Sequence, residues 1–298
     1  MNRPRLLLIA PPHTGDSPGL QAAAGLVQAL GASLRIVAFV YVEAGQAQDS
    51  DAGQATAFEE QTMEVHRGWL QAQADAFSSR GLTVSFEIHW QPRSPENLVR
   101  YARHYGADMV IKDMHSDASL RRKGLGALDW ELLQDCPAPV LFVKDVPNPQ
   151  KLPCLAAVDL ADESQAENAQ NPAIAQTAQA LAAGCNSDAH LMCVYDRSDG
   201  FAGVLRETLH LPGYEERKQR FDELADDQGV IDEHRHYVAG DPANTIASYI
   251  GRRGYQLLIV GACGPHKPPR TVGRTARRLL EHPPCSILVL KGQTALLP

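Results

Sequence analysis

The chain of 298 residues carries an internal duplication, so its fold must be one that can be built twice. Laid on itself at an offset of 147, the stretch Leu132 to Lys144 matches Leu279 to Lys291 without a gap. Each copy reads as a helix end, a proline-containing turn and a buried strand. Further pairs follow in the same order: Asp108-Met109-Val110-Ile111 with Gln256-Leu257-Leu258-Ile259, Val40-Tyr41 with Val194-Tyr195, and Leu8-Ile9-Ala10 with Ala157-Val158-Asp159. At about 150 residues per domain, the length suits two copies. The expected domains are 1–147 and 148–298, joined by a linker around Asp145 to Pro153 that holds three prolines.

Within each copy, short apolar runs alternate with helical stretches. Strands are expected at about Arg5 to Ala10, Leu34 to Tyr41, Thr83 to His89, Met109 to Lys112 and Val140 to Lys144. In the second copy they fall at Cys154 to Asp159, Ala189 to Tyr195, Ile231 to Val238, Gln256 to Gly261 and Ser286 to Lys291. Strands that are apolar throughout and alternate with helices belong to a parallel sheet covered on both faces. The expected fold is therefore α/β, with two tandem doubly wound five-stranded parallel-sheet domains of strand order 3-2-1-4-5.

Composition narrows the function classes. Hydrophobic residues make up 44% and charged residues 21%, which is ordinary for a folded globular chain. The net charge of −7 divides into −4 up to Gln150 and −3 after it, so neither half has the basic excess of a nucleic-acid module. Apolar runs such as Leu6 to Ala10 and Leu257 to Val260 fall far short of the roughly 20 residues that span a bilayer. The basic start at Arg3 and Arg5 leads into a short apolar run with no cleavage signal, and reads as the first strand of a cytoplasmic protein. Six cysteines without a CxxC pair are expected as reduced thiols.

In a doubly wound sheet, ligands bind beyond the carboxyl ends of the strands, at the point where strand order reverses. With the expected order, Asp159 ends the first strand of the second copy and faces the turn Gly261-Ala262-Cys263-Gly264 after the fourth. A further helix opens at Gly273-Arg274-Thr275. Glycines let backbone N–H groups approach phosphate oxygens, a helix amino terminus adds partial positive charge, and a carboxylate can accept hydrogen bonds from a base or sugar.

These residues, with the tandem repeat, the Gly240-Asp241-Pro242-Ala243 turn and the last Pro-Cys-Ser-Ile-Leu-Val-Leu strand, resemble the universal stress protein family. The likeness is closest to its tandem-domain members of the E type, which Trp69 and Asp129-Trp130 also fit. It implies an adenine nucleotide alpha hydrolase-like fold and a non-enzymatic stress-response role, with ATP or another adenine nucleotide in the second domain. By that resemblance Asp159 would contact adenine or ribose, Gly261 and Gly264 the ribose and phosphate side, and Gly273 the phosphates. Val194, Gly240, Arg274 and Thr275 complete the implied nucleotide-binding set. The family pattern is Gly-x2-Gly-x9-Gly-Ser/Thr; here eight residues separate Gly264 from Gly273, and Arg274 stands where the hydroxyl residue is expected. The second copy is thus open to two expectations, ATP held and ATP lost. In the first copy Ala10 replaces the strand-end Asp, and Asp113 and Ser116 replace the loop glycines. That copy is expected to bind no nucleotide and to be structural, to hold a small apolar ligand or to form a dimer surface. The resemblance also implies pairing of the two domains within one chain, with a homodimer possible.

Other motifs compete for attention. Lys267, Arg270, Arg274, Arg277 and Arg278 form a basic stretch that reads as a solvated helix face or as a phosphate-attracting rim. Cys263-x2-His266-x15-His282-x2-Cys285 has zinc-like spacing, but strands four and five put its two pairs at opposite sheet edges, so no metal is expected. His234 and His236, two apart on a strand, are expected to face solvent. A slow ATPase or nucleotidyl-transfer enzyme is the alternative function, and Asp241 and Lys267 are its visible candidates.

Overall fold

The computed structural model describes residues 3–41, 52–114, 124–146, 151–161, 170–196, 213–262 and 272–292. It divides into two compact units, Met1–Val146 and Pro147–Pro298. The first unit runs β1 (Arg5–Ile9), α1 (Pro18–Leu30), β2 (Ser33–Phe39), α2 (Ala52–Ser78), β3 (Thr83–His89), α3 (Pro95–Tyr105), β4 (Met109–Asp113), α4 (Ala127–Asp135) and β5 (Val140–Val143). Its strands are all parallel in the order β3-β2-β1-β4-β5. The second unit repeats the plan with β6 (Cys154–Val158), α5 (Gln170–Gly184), β7 (Ala189–Asp196), α6 (Tyr214–Asp227), β8 (Arg235–Gly240), α7 (Pro242–Arg253), β9 (Leu257–Gly261), α8 (Arg274–Glu281) and β10 (Ser286–Leu290). Its order is β8-β7-β6-β9-β10, again parallel, so both units have the 3-2-1-4-5 topology.

Local chemistry explains the element ends. Ser17, Ser94 and Asp241 each sit just before a proline and accept a hydrogen bond from the third residue on, at Leu20, Asn97 and Asn244. The side chain satisfies one orphan N–H of the first turn while proline pre-sets the helical φ. Gly106 closes α3 at φ +66°, a conformation that costs glycine nothing. The central strands are buried on both faces: Leu6, Leu7, Leu8 and Ile9, and likewise Ile287 to Leu290, are at most 1% exposed.

The expected eighth strand begins too early. Asp232–His234 form a 3-10 turn and β8 starts at Arg235, because Ile231 is exposed and the guanidinium of Arg235 closes the turn on the Val230 carbonyl. His234 therefore lies on the turn and only His236 on the strand.

One buried charge stands inside the first unit. Lys112 on β4 is fully buried, with its Nζ 2.6 Å from Asp129 Oδ1 on α4 and donating to the Asp113 carbonyl. Asp129 also accepts the N–H of Gly126 at the helix start, so one carboxylate joins strand, helix and cap. Removing one charge of such a pair strands the other in a low-dielectric interior. Asp129→Asn, which keeps the capping acceptor, is expected to lower unfolding free energy by about 3 kcal/mol, and adding Lys112→Met should recover most of it. Urea unfolding of the three proteins measures both effects.

Candidate functional site

A cavity of about 470 Å³ opens in the second unit beyond the carboxyl ends of β6, β7 and β9. Strand order reverses between β6 and β9, which is where the fold leaves strand ends uncovered. Ile174, Met192 and Ile246 give it apolar walls, and the first turn of α8 forms one rim.

Each polar group there is held by its own local structure. Asn171, buried at the start of α5, brackets the backbone of Asp159: its Nδ2 donates to the Asp159 carbonyl at 2.8 Å and its Oδ1 accepts the Asp159 N–H at 3.3 Å. The Asp159 carboxylate accepts the Ala161 N–H at 3.0 Å and is itself exposed. On Gly261 an added Cβ would lie 2.7 Å from the carboxamide of Gln170, so glycine is needed for α5 to come this close. The Gly273 N–H donates to the Ala262 carbonyl at 2.7 Å and starts α8, whose residues Arg274, Thr275 and Ala276 face the cavity. The Arg274 guanidinium reaches across to the Asp196 carboxylate at the end of β7, 3.1 Å away. Arg217 from α6 lies 4.8 Å from the Tyr195 ring centroid and points an Nη at the Ala161 carbonyl.

Of the residues expected at a nucleotide site, Asp159, Val194, Gly261, Gly273, Arg274 and Thr275 all line this cavity. Gly240 does not, and its lack of a side chain has another reason: a Cβ would lie 2.5 Å from the Thr245 hydroxyl in the following helix. Gly264, Lys267 and the Cys263/His266 pair fall outside the described residues. Asp241 accepts the Asn244 N–H and pairs with Arg278 at 2.6 Å, which together hold its carboxyl below the usual range. It is a helix cap tied to a guanidinium. The basic stretch divides accordingly: Arg278 serves that cap, Arg277 pairs with Glu281, and Arg274 alone of the three lines the cavity. Sequence reading missed Gln170, Asn171, Asp196 and Arg217. Asp196 could have been found as an acid ending an apolar strand beside the reversal point.

The first unit treats the same place differently. Asp113, at the end of β4, is turned inward and accepts the Gly19 N–H at the start of α1. A Cβ on Gly19 would lie 2.9 Å from that carboxylate, so the helix start is cut to fit it. Burial raises the Asp113 carboxyl, opposed by hydrogen bonds from Ser17 and Gly19. Ser116 lies outside the described residues.

A second polar cluster occupies the other end of the second sheet and corrects the solvent-facing expectation for His236, which is 7% exposed. His236 Nε2 lies 2.9 Å from His190 Nδ1, and its Nδ1 lies 2.9 Å from the Tyr249 hydroxyl. The His234 ring packs on His190 with centroids 4.1 Å apart. Among the described residues no group of three or more His, Cys, Asp or Glu is arranged to hold a metal. Burial, then the neighbouring imidazoles, pushes His190 down to about 4, with Asp188 opposing. Burial, then Arg253 and His234, does the same for His236.

Two tandem doubly wound domains, one with a cavity at its reversal point and one with a buried carboxylate at the end of its fourth strand, define the class. The model of the universal stress protein family matches residues 10–144 and 153–291, and the chain belongs to that family. It is 25% identical over 303 residues to universal stress protein E of Escherichia coli strain K12, covering 96% of this chain and 93% of that protein. It is 25% identical over 309 residues to universal stress protein E of Photorhabdus laumondii, covering 97% and 95%. A functionally unknown protein from Pseudomonas aeruginosa PAO1 shares the fold with a TM-score of 0.74 at 19% identity, over 97% of this chain and 92% of that one. A universal stress protein from Archaeoglobus fulgidus does so at 0.64 and 14%, over 97% and 96%.

The histidine cluster generates a pH prediction. In the unfolded chain these imidazoles titrate near 6.5, so between about 6.5 and 4 the unfolded state binds more protons than the folded one. The cluster's contribution is full above about 6.5 and is lost as pH falls toward about 4. Urea midpoints should fall across that window, and the fall should be shallower in His236→Gln.

Proposed function

We propose that the second domain holds ATP or another adenine nucleotide in the cavity beside Asp159, and that the chain acts in a stress response as a cytoplasmic, non-enzymatic binding protein. The observation that carries this reading is the meeting of Asp159, Gly261 and the first turn of α8 around one cavity at the reversal point. A volume of about 470 Å³ lies within the range of small-ligand sites. A carboxylate, apolar walls and a helix amino terminus match the three parts of a nucleotide: a base or sugar donor, a flat base and a phosphate.

Backbone donors and guanidinium groups supply affinity and orientation, and occupancy would bias the surface around the crevice toward a partner. Asp241, a candidate base of the enzymatic alternative, is committed to its helix cap and Arg278, which favours a binding role. Family membership supports the stress-response role. No helix among the described residues is long and apolar enough to cross a membrane, and Cys136, Cys154, Cys185, Cys193 and Cys285 are buried and form no disulfide among the described residues, in keeping with a reducing compartment.

Titration calorimetry with ATP on the full chain tests the reading. Binding is expected, and Asp159→Ala should weaken it about tenfold, the usual worth of a hydrogen bond to a charged group. Saturating ATP that gives neither heat nor a thermal shift would remove the nucleotide.

A further inference from the structure

We propose that Asp196 is a built-in counterion that competes with ligand phosphate for Arg274, so that the cavity gains little from the charge of its ligand. The inference rests on the nucleotide reading of this cavity and says how the cavity answers to phosphate. Asp196 ends β7 and Arg274 opens α8, and both line the cavity. Because β6 lies between β7 and β9 in the sheet, their ion pair spans the crevice over the end of β6. A ligand phosphate drawn to the α8 amino terminus reaches the one place where this guanidinium is already engaged.

The two partners are unequal. The Arg274 side chain is 73% exposed, whereas that of Asp196 is 12% exposed and fixed at a strand end. An exposed guanidinium gives up one carboxylate for another anion at little cost. The carboxylate left behind stays put, facing the phosphate. Asp159 and Asp196 against Arg217 and Arg274 leave the described lining without net charge. Phosphate binding is therefore an exchange of one anion for another at Arg274, with the displaced carboxylate held at close quarters.

Adenosine, AMP and ATP are the probes, titrated calorimetrically into the full chain at low salt with EDTA. Wild type is expected to bind AMP within about fivefold of adenosine, because the phosphate only replaces Asp196. Asp196→Asn should tighten AMP about fivefold, tighten ATP at least as much and leave adenosine unchanged. Arg274→Gln, at a side chain 73% exposed, should make AMP weaker than adenosine, since the phosphate then loses this guanidinium and still faces Asp196. An AMP-to-adenosine ratio that stays the same in both variants overturns the competition and leaves the nucleotide reading standing. If none of the three ligands binds any of the three proteins, the nucleotide reading fails and the competition fails with it.

Discussion

A parallel sheet must hide both of its faces, and most of what distinguishes this chain follows from that. Leu6 to Ile9 and Ile287 to Leu290 meet helices above and below, so no polar side chain can be spent along the central strands without a partner. Most of the buried polar side chains sit at strand ends and helix starts. Lys112, next to the end of β4, is buried with Asp129 alongside as its counterion and with the Asp113 carbonyl accepting a hydrogen bond from its Nζ.

The fold was legible because that constraint writes itself into the sequence as uninterrupted apolar runs, and because the run before each last strand occurs twice. Cap chemistry helped, since Ser17-Pro18, Ser94-Pro95 and Asp241-Pro242 mark helix starts directly. Legibility failed where burial depends on distant residues. His236 reads as a polar position on an edge strand, yet its partners lie 46 positions earlier at His190 and 13 later at Tyr249. No local pattern joins them. Ile231 failed in the opposite sense, as an apolar residue that extends the apparent strand but stands exposed before a turn.

At the candidate site the strand-end residues were legible and the helix-borne ones were not. Asp159, Val194 and Gly261 are placed by the ends of their strands, and strand ends can be counted from the repeat. Gln170, Asn171 and Arg217 depend on how far each helix begins from its strand, a distance set by connecting segments without periodicity. Gly240 teaches a different lesson. A glycine after a strand suggests a ligand, but the space its missing Cβ leaves is taken by Thr245. The residue types at Gly240 and Gly261 are identical, and only the neighbour tells them apart.

The two units reach the same contact by opposite means. In both, the end of the fourth strand touches the start of the helix that follows the first strand, and one partner must be glycine for them to meet. In the first unit the glycine is on the helix at Gly19, and Asp113 supplies the side chain from the strand. In the second the glycine is on the strand at Gly261, and Gln170 supplies the side chain from the helix. The first arrangement puts a buried carboxylate where an anion would have to approach. The second puts a neutral carboxamide there, and its carboxylates lie elsewhere on the cavity wall, at Asp159 and at Asp196, whose partner Arg274 is 73% exposed. Exchanging which side carries the glycine thus keeps the strand–helix contact in both units while changing the group at the strand end from a buried carboxylate to a carboxamide.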